Sequence, residues 1–384
     1  MKSLPKLIRI TTVPLSLDKL LEGQLRFMSA HYAVTAISAE PEYLARVGER
    51  EGVAVHSLPL TRKITPLQDL WCVLLLTVYL LRVRPQIVHT HTPKAGLVGM
   101  LAARLAFVPV RMHTVAGLPL LEATGFKRRV LEWVERFTYR MATQVYSNSE
   151  GLRTLILAHR FCAPHRIKVL CNGSTNGIRT SYFSRSALGS FSRDAFRESL
   201  GIPTDAFLFV FVGRLVTDKG INELVGAFRK LTLGNPSIRL LLVGPLEPDL
   251  DPLHPDTLEA LEHCSTLFSV GYQSDVRPYL AASDALVFPS YREGFPNVVL
   301  QAGAMDLPVI ATDINGCNEI ILPQQNGLLV PPKDERALLE AMLRFLEEPA
   351  LREAMAAQAR ELIVSRYEQA VVWEALLGEY GGSL

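Results

Sequence analysis

Cysteine is sparse in this chain: the 384 residues hold five, Cys72, Cys162, Cys171, Cys264 and Cys317, with no CxxC pair and no metal-ligand spacing. A disulfide framework and a zinc module are excluded, and the scatter fits reduced thiols in the cytosol. No DxD-type carboxylate pair stands in a suitable loop, and the nine histidines show no ligand spacing beyond His89 and His91. Those two flank a strand end and are expected to point to opposite faces, so no catalytic metal is implied. Long apolar runs are missing too. The strongest, Leu70 to Leu81 (LWCVLLLTVYLL), is twelve residues, against the roughly twenty a bilayer needs. It is expected as a buried helix packed on a sheet, with an interfacial anchor as the alternative. The amino terminus MKSLPKLIRITTV has basic residues but no long apolar core or small-residue cleavage site, so export is not expected. Short-period repeats and low-complexity segments are absent from the sequence, which excludes solenoids and disordered tails.

What is present suffices for two packed domains. With 48% hydrophobic and 20% charged residues, each of two halves of about 150 to 200 residues can bury its own core. A net charge of +2 conceals an asymmetry: residues 1 to 190 hold 25 Lys/Arg against 11 Asp/Glu, and the remainder 15 against 27. Such halves attract one another; the basic one also suits an anionic lipid surface or a diphosphate-linked acceptor. Phe126 to Ala142 (FKRRVLEWVERFTYRMA) spaces Val130, Trp133, Phe137 and Met141 at the helical period, with Lys127, Arg128, Arg129, Arg136 and Arg140 around them. That pattern serves a membrane-surface helix or an ordinary surface helix alike.

Short apolar runs alternate with helical periods along the whole chain. Strands are predicted at Leu7 to Val13, Ala33 to Ser38, Ala54 to Leu58, Gln86 to Thr90, Val110 to Thr114, Gln144 to Ser147 and Ile167 to Cys171. A second series follows at Phe207 to Val212, Ile238 to Val243, Leu267 to Val270, Ala285 to Phe288, Val309 to Ala311 and Gly327 to Val330. Connections of this length imply parallel strands with crossover helices, hence two doubly wound α/β domains. The Ser/Gly/Thr/Arg-rich stretch near 180 to 205 reads as a linker. The domains expected are 1–185, 205–365, and a closing segment, 366–384.

Two signatures about eighty residues apart carry chemistry: FVFVGRLVTDKG (Phe209 to Gly220) and SYREGFPNVVLQAGAM (Ser290 to Met305). Each follows an apolar strand and opens a helix, which places both at the carboxyl edge of one sheet. Gly213 allows close backbone approach while Arg214 and Lys219 offer cations to a pyrophosphate. Glu293 accepts from sugar hydroxyls, and the backbone N–H groups of Gly294, Phe295 and Asn297 stand beside a helix beginning near Pro296. Surface pairing of the two cations with Asp218 or Glu223, and a helix-dipole role for Glu293, are the plain alternatives.

These residues resemble the retaining glycosyltransferases of family 4, of the two-domain GT-B architecture. The likeness extends to TTVPLSLDKLLEGQLRFM, IVHTHTPKAGLVG, CNGSTNGI and PVIATDINGCNEII, in the flavour of bacterial capsule, O-antigen and lipid-linked oligosaccharide enzymes. It implies two Rossmann-like domains facing across a cleft, with the terminal helix crossing back to the first. It implies an acceptor-binding first domain and a nucleotide-sugar-binding second one. The reaction implied is transfer of a hexose or N-acetylhexosamine from a nucleoside-diphosphate sugar, expected to be a UDP-sugar, to a polyprenyl-diphosphate-linked saccharide. The expected enzyme is cytoplasmic, peripheral on the inner face of the plasma membrane, without metal or other cofactor. Family roles fall on His113 (donor sugar and reacting centre), Arg214 and Lys219 (diphosphate), Glu293 (sugar hydroxyls) and Gln301 (ribose), where the family's second glutamate would stand. A satisfied core histidine is the alternative for His113. His91, with Thr92 and Lys94, either touches an acceptor phosphate or is a hydrogen-bonded strand end. Asn172, Gly173, Ser174 and Asn176 read mainly as turn residues, Arg179 stands where an acid often ends that segment, and Gly316, Asn318 and Glu319 form a polar loop of open role. Gly23 is the only glycine where many relatives have a glycine-rich first loop. A sugar-nucleotide epimerase of the same architecture and an inert partner subunit are the rival readings.

Overall fold

The computed structural model describes residues 4–118, 123–249 and 251–384. Strand sequences such as FLFVFV and IRLLLV are apolar without alternation, the mark of strands covered on both faces. Both sheets are accordingly all parallel. The first comprises β1 (Lys6–Ile10), β2 (Ala33–Ser38), β3 (Ala54–Ser57), β4 (Ile87–His91), β5 (Val110–Val115), β6 (Gln144–Ser147) and β7 (Ile167–Val169), in the order β3-β2-β1-β4-β5-β6-β7. The second comprises β8 (Phe207–Val212), β9 (Ile238–Val243), β10 (Leu267–Ser269), β11 (Ala285–Phe288), β12 (Val309–Thr312) and β13 (Gly327–Val330), in the order β10-β9-β8-β11-β12-β13. Every predicted strand forms. The largest shift is at β1, which stops at Ile10 because Pro14 opens a helix with Val13 as its cap. In both sheets the order reverses once, at β1/β4 and at β8/β11, the position where doubly wound sheets bind ligands.

The chain divides into residues 1–177 with 369–384, and residues 178–368. The expected boundaries 1–185, 205–365 and 366–384 therefore move, and the stretch near 180 to 205 is no linker. Arg197 explains why: its fully buried guanidinium donates to the carbonyls of Ala282 and Ala206 and to Asp284, while Arg185 donates to Ala281. Those polar side chains tie the segment into the second unit. The helix Gln369–Gly382 belongs to the first unit, where Tyr380 is buried and the Trp373 indole donates to Asn176 at 2.7 Å. Asn176 also accepts from Gln24 at 3.0 Å, so it fastens two helices rather than merely making a turn.

One helix of the first unit departs from the buried packing expected of it, and a second takes one of the two places open to it. The apolar run lies within the helix Pro66–Val83, of which only Cys72, Val73, Leu76 and Leu80 are buried. One narrow stripe covers the sheet, and the apolar residues on the other sides stay out in solvent, Leu67 at 86% exposure. The helix Gly125–Met141 turns Glu135, Thr138 and Tyr139 inward and leaves Phe126 and Trp133 at 81% and 59% exposure. The amino-terminal part of its apolar stripe, Val130 and Trp133, is exposed, while Met141 at the other end packs against the core.

Candidate functional site

Signature residues gather at the β8/β11 reversal of the second unit. The turn after β8 is held by Gly213 N–H donating to Val243 and Leu215 N–H to Pro245. It reaches Gly220, which adopts φ +71° and caps the helix Ile221–Gly234. A Cβ there would lie 2.1 Å from the Pro289 carbonyl oxygen, so only glycine lets this turn lie on the loop following β11. Tyr291 N–H donates to the Asp218 carbonyl at 2.8 Å across that contact. The loop after β12 braces the same region: the Asn315 amide donates to the carbonyls of Glu293 (3.1 Å) and Gly294 (2.8 Å). Asn318, whose role was open, donates to Asp313. Glu319 lends its carbonyl to Arg366 and Tyr367.

Lys219 Nζ and Glu293 Oε1 stand 2.5 Å apart, with side chains 16% and 17% exposed. Arg214 pairs instead with Glu247 at 3.0 Å. That hydrogen bond raises the guanidinium's pKa, with Glu247, Asp218 and Glu293 adding their field. Both cations are paired with acids, as the plain alternative had it, but not with Asp218 or Glu223: Asp218 binds Arg292 and Glu223 binds Tyr291. Two cations and two carboxylates thus gather at the reversal, and partial burial strengthens their fields. Pro296 caps the helix Asn297–Ala304, and Gln301 sits in its second turn, its amide without a partner among the described residues. Phe295 meets the Tyr367 ring in a tilted contact, centroids 5.5 Å apart. Glu247 and Asn315 escaped sequence reasoning; the only available signal was their place just after a strand.

His113 lies two residues before the end of β5 in the first unit, 2% exposed, with Nδ1 2.7 Å from Thr90 Oγ1. Burial lowers its pKa to about 4, leaving a neutral imidazole suited to hydrogen bonding rather than proton delivery at pH 7. Gly96 makes room for it: a Cβ there would fall 2.5 Å from the ring. The loop beyond His113 runs into residues 119–122, outside the described residues. His89 and His91 do not point apart as expected. Residues two apart on a strand share a face, and the rings stack at 4.4 Å.

They join a buried cluster invisible in the sequence. Arg9, fully buried on β1, donates to Tyr380 Oη (3.0 Å), Gln24 Oε1 (2.6 Å) and His91 Nε2 (2.8 Å), while His89 Nδ1 lies 2.6 Å from the same tyrosine oxygen. Burial first, then the neighbouring Arg9 and histidine rings, push both histidines well below their ordinary pKa. His91 is thus a hydrogen-bonded strand-end residue. Lys94 is paired with Asp69 at 2.8 Å and donates to Thr65 Oγ1 at 3.1 Å.

Comparison with known proteins bears on both units. The family described as "Glycosyl transferases group 1" matches residues 192–362, and the "Glycosyl transferase 4-like domain" matches residues 24–173. A capsular polysaccharide biosynthesis glycosyltransferase, CapM of Staphylococcus aureus, is 29% identical over 98% of this chain and 96% of its own. An Escherichia coli UDP-Gal:alpha-D-GlcNAc-diphosphoundecaprenol alpha-1,3-galactosyltransferase is 28% identical over 80% of this chain and 78% of its own. Among solved structures, Anabaena HepE in complex with UDP and glucose superposes with a TM-score of 0.80 at 18% identity, covering 99% of this chain and all of that one.

Proposed function

The chain belongs to the family 4 glycosyltransferases of GT-B fold, and from that premise we propose that it transfers a hexose or N-acetylhexosamine from a UDP-sugar to a polyprenyl-diphosphate-linked saccharide, with retention at the anomeric carbon. The observation that carries this is the meeting of Arg214, Lys219 and Glu293 at the β8/β11 reversal. As the bond from the anomeric carbon to the diphosphate breaks, its electron pair goes to the departing oxygen, where the two cations offset the new charge. The acceptor hydroxyl attacks the same face and its proton passes to the leaving diphosphate. No resident metal is needed for that step. Once Lys219 turns to phosphate, Glu293 accepts from the sugar hydroxyls. Gln301 accepts from one ribose hydroxyl and donates to the other, and His113 serves as a neutral hydrogen-bonding group.

Support for the lipid-linked acceptor comes from the relative whose name specifies a diphosphoundecaprenol substrate. Support for a peripheral place on the inner face of the plasma membrane comes from the first unit. It holds 23 Lys/Arg against 13 Asp/Glu, and its helices Pro66–Val83 and Gly125–Met141 expose apolar side chains beside Arg62, Lys63, Arg82 and Arg84. Apolar area and cations together favour an anionic lipid interface. The test is incubation of purified protein with bacterial membranes and a panel of radiolabelled nucleotide sugars. Label from one donor should enter the lipid-extractable fraction. Interconversion of donor without acceptor, or no binding of any donor, overturns the reading.

A further inference from the structure

Four guanidiniums converge on a recess of the first unit that glycosyl transfer does not use. Arg136 and Arg140 come from the last turns of the helix Gly125–Met141, Arg160 from the end of the helix Glu150–Ala158, and Arg166 from the approach to β7; they line an open recess of about 590 Å3 together with Phe161 and Tyr139. It lies by the amino ends of β6 and β7, the opposite end of the strands from the edge where doubly wound sheets bind substrate.

The charge around it is unbalanced. Arg136 reaches Glu132 at 3.7 Å and lies over the Phe161 ring at 5.2 Å, while the Arg166 guanidinium donates to the Ala142 carbonyl and has no ion pair among the described residues. Arg140 and Arg160 have no ion pair among the described residues. Helix carboxyl ends favour cations, which accounts for one arginine at each end but not for four around one hollow.

Backbone geometry at Arg160 is a second, independent observation. Its N–H donates to the Leu157 carbonyl, and that of Phe161 to the Ile156 carbonyl, a Schellman ending in which glycine is the usual occupant of the left-handed position. Arg160 holds φ +54° there. A long side chain is kept at a strained position, as happens where the side chain has a task.

We propose that this recess binds a phosphate-bearing anion, held by forked charge-assisted hydrogen bonds from the arginines over the aromatic wall. The site is independent of glycosyl transfer. Two sources share the chemistry: the headgroup of an anionic lipid, reached as the helix Gly125–Met141 meets a membrane, and a soluble phosphorylated molecule.

Arg160→Gly and Arg140→Gln in the full chain provide the test, using sodium pyrophosphate in calorimetric titration and vesicles of phosphatidylcholine with or without phosphatidylglycerol in flotation. Wild type should bind at least one probe, and the double variant should bind it about tenfold or more weakly. The melting temperature of Arg160→Gly should be equal or higher, since glycine relieves the turn, so weaker binding would not reflect unfolding. UDP affinity should stay at the wild-type level, which separates this site from the donor site. Binding to phosphatidylglycerol vesicles alone assigns the lipid source, and pyrophosphate binding alone the soluble one. Failure of wild type to bind either probe, or equal binding by the double variant, overturns the proposal.

Discussion

At the carboxyl edge of the first sheet the polar groups are buried and answer one another, Arg9 to Tyr380, Gln24 and His91, and His113 to Thr90, whereas at the second sheet's edge Arg214 and Lys219 sit partly exposed against single carboxylates. Both edges follow the same strand reversal, yet they store charge differently. A buried network fixes its members in one arrangement. A partly exposed ion pair is worth little by itself and yields readily to a stronger anion such as a diphosphate. The first edge therefore reads as a rigid wall and the second as a set of exchangeable contacts.

The sharpest break in that contrast is at the second edge. Lys219→Ala and Arg214→Ala should each lower transfer by about 100- to 1000-fold with unchanged circular dichroism; near-normal turnover in both removes them from the mechanism. Next in size is acid sensitivity of the first edge. Burial depresses His113 from 6.5 to about 4, so the unfolded chain binds its proton first, and stability is lost as pH falls from about 6.5 toward 4, about 3 kcal/mol for this group. His89 and His91 act in the same direction, while Glu135, raised by burial to about 7, opposes them as one group against three. All three tryptophans, Trp71, Trp133 and Trp373, lie in the first unit, so their fluorescence reports its melting alone. A melting temperature that rises on acidification would contradict this.

Tyr380→Phe, which strips one oxygen from both Arg9 and His89, should cost the first unit about 1 to 3 kcal/mol by the same fluorescence; no shift would mean the network is slack. Glu247→Gln should change transfer only a few-fold, because Arg214 loses a partly exposed partner, and a large loss would make that pair integral to the second edge. Smallest is Gln301→Glu, expected to tighten nucleotide binding slightly or leave it unchanged, read by titration with UDP.

Much of this was legible before any coordinates. Parallel strands covered on both faces write themselves as unbroken apolar runs, so each strand, and the carboxyl edge that carries both signatures, could be read from residues such as Phe209 to Val212, whereas the strand order could not. What escaped depends on distance or on sidedness. Arg9 lies in the run LIRI, and nothing local says that its partner is 371 residues away. Arg197 sits in a segment polar enough to pass for a linker, but its guanidinium donates four hydrogen bonds, to three carbonyls and a carboxylate of the second unit. The helix Pro66–Val83 is apolar on every side, and composition alone does not tell which stripe meets the sheet. Family likeness named Lys219 and Glu293 but not that they would be found holding each other.

Titration calorimetry of the purified protein with UDP, comparing wild type with Lys219→Ala and Arg214→Ala, tests the central claim most directly. Saturable binding by wild type and strong weakening in both variants is the expected result. Equal affinity in all three proteins would mean that the diphosphate is held elsewhere, and the reading of the second edge would fall.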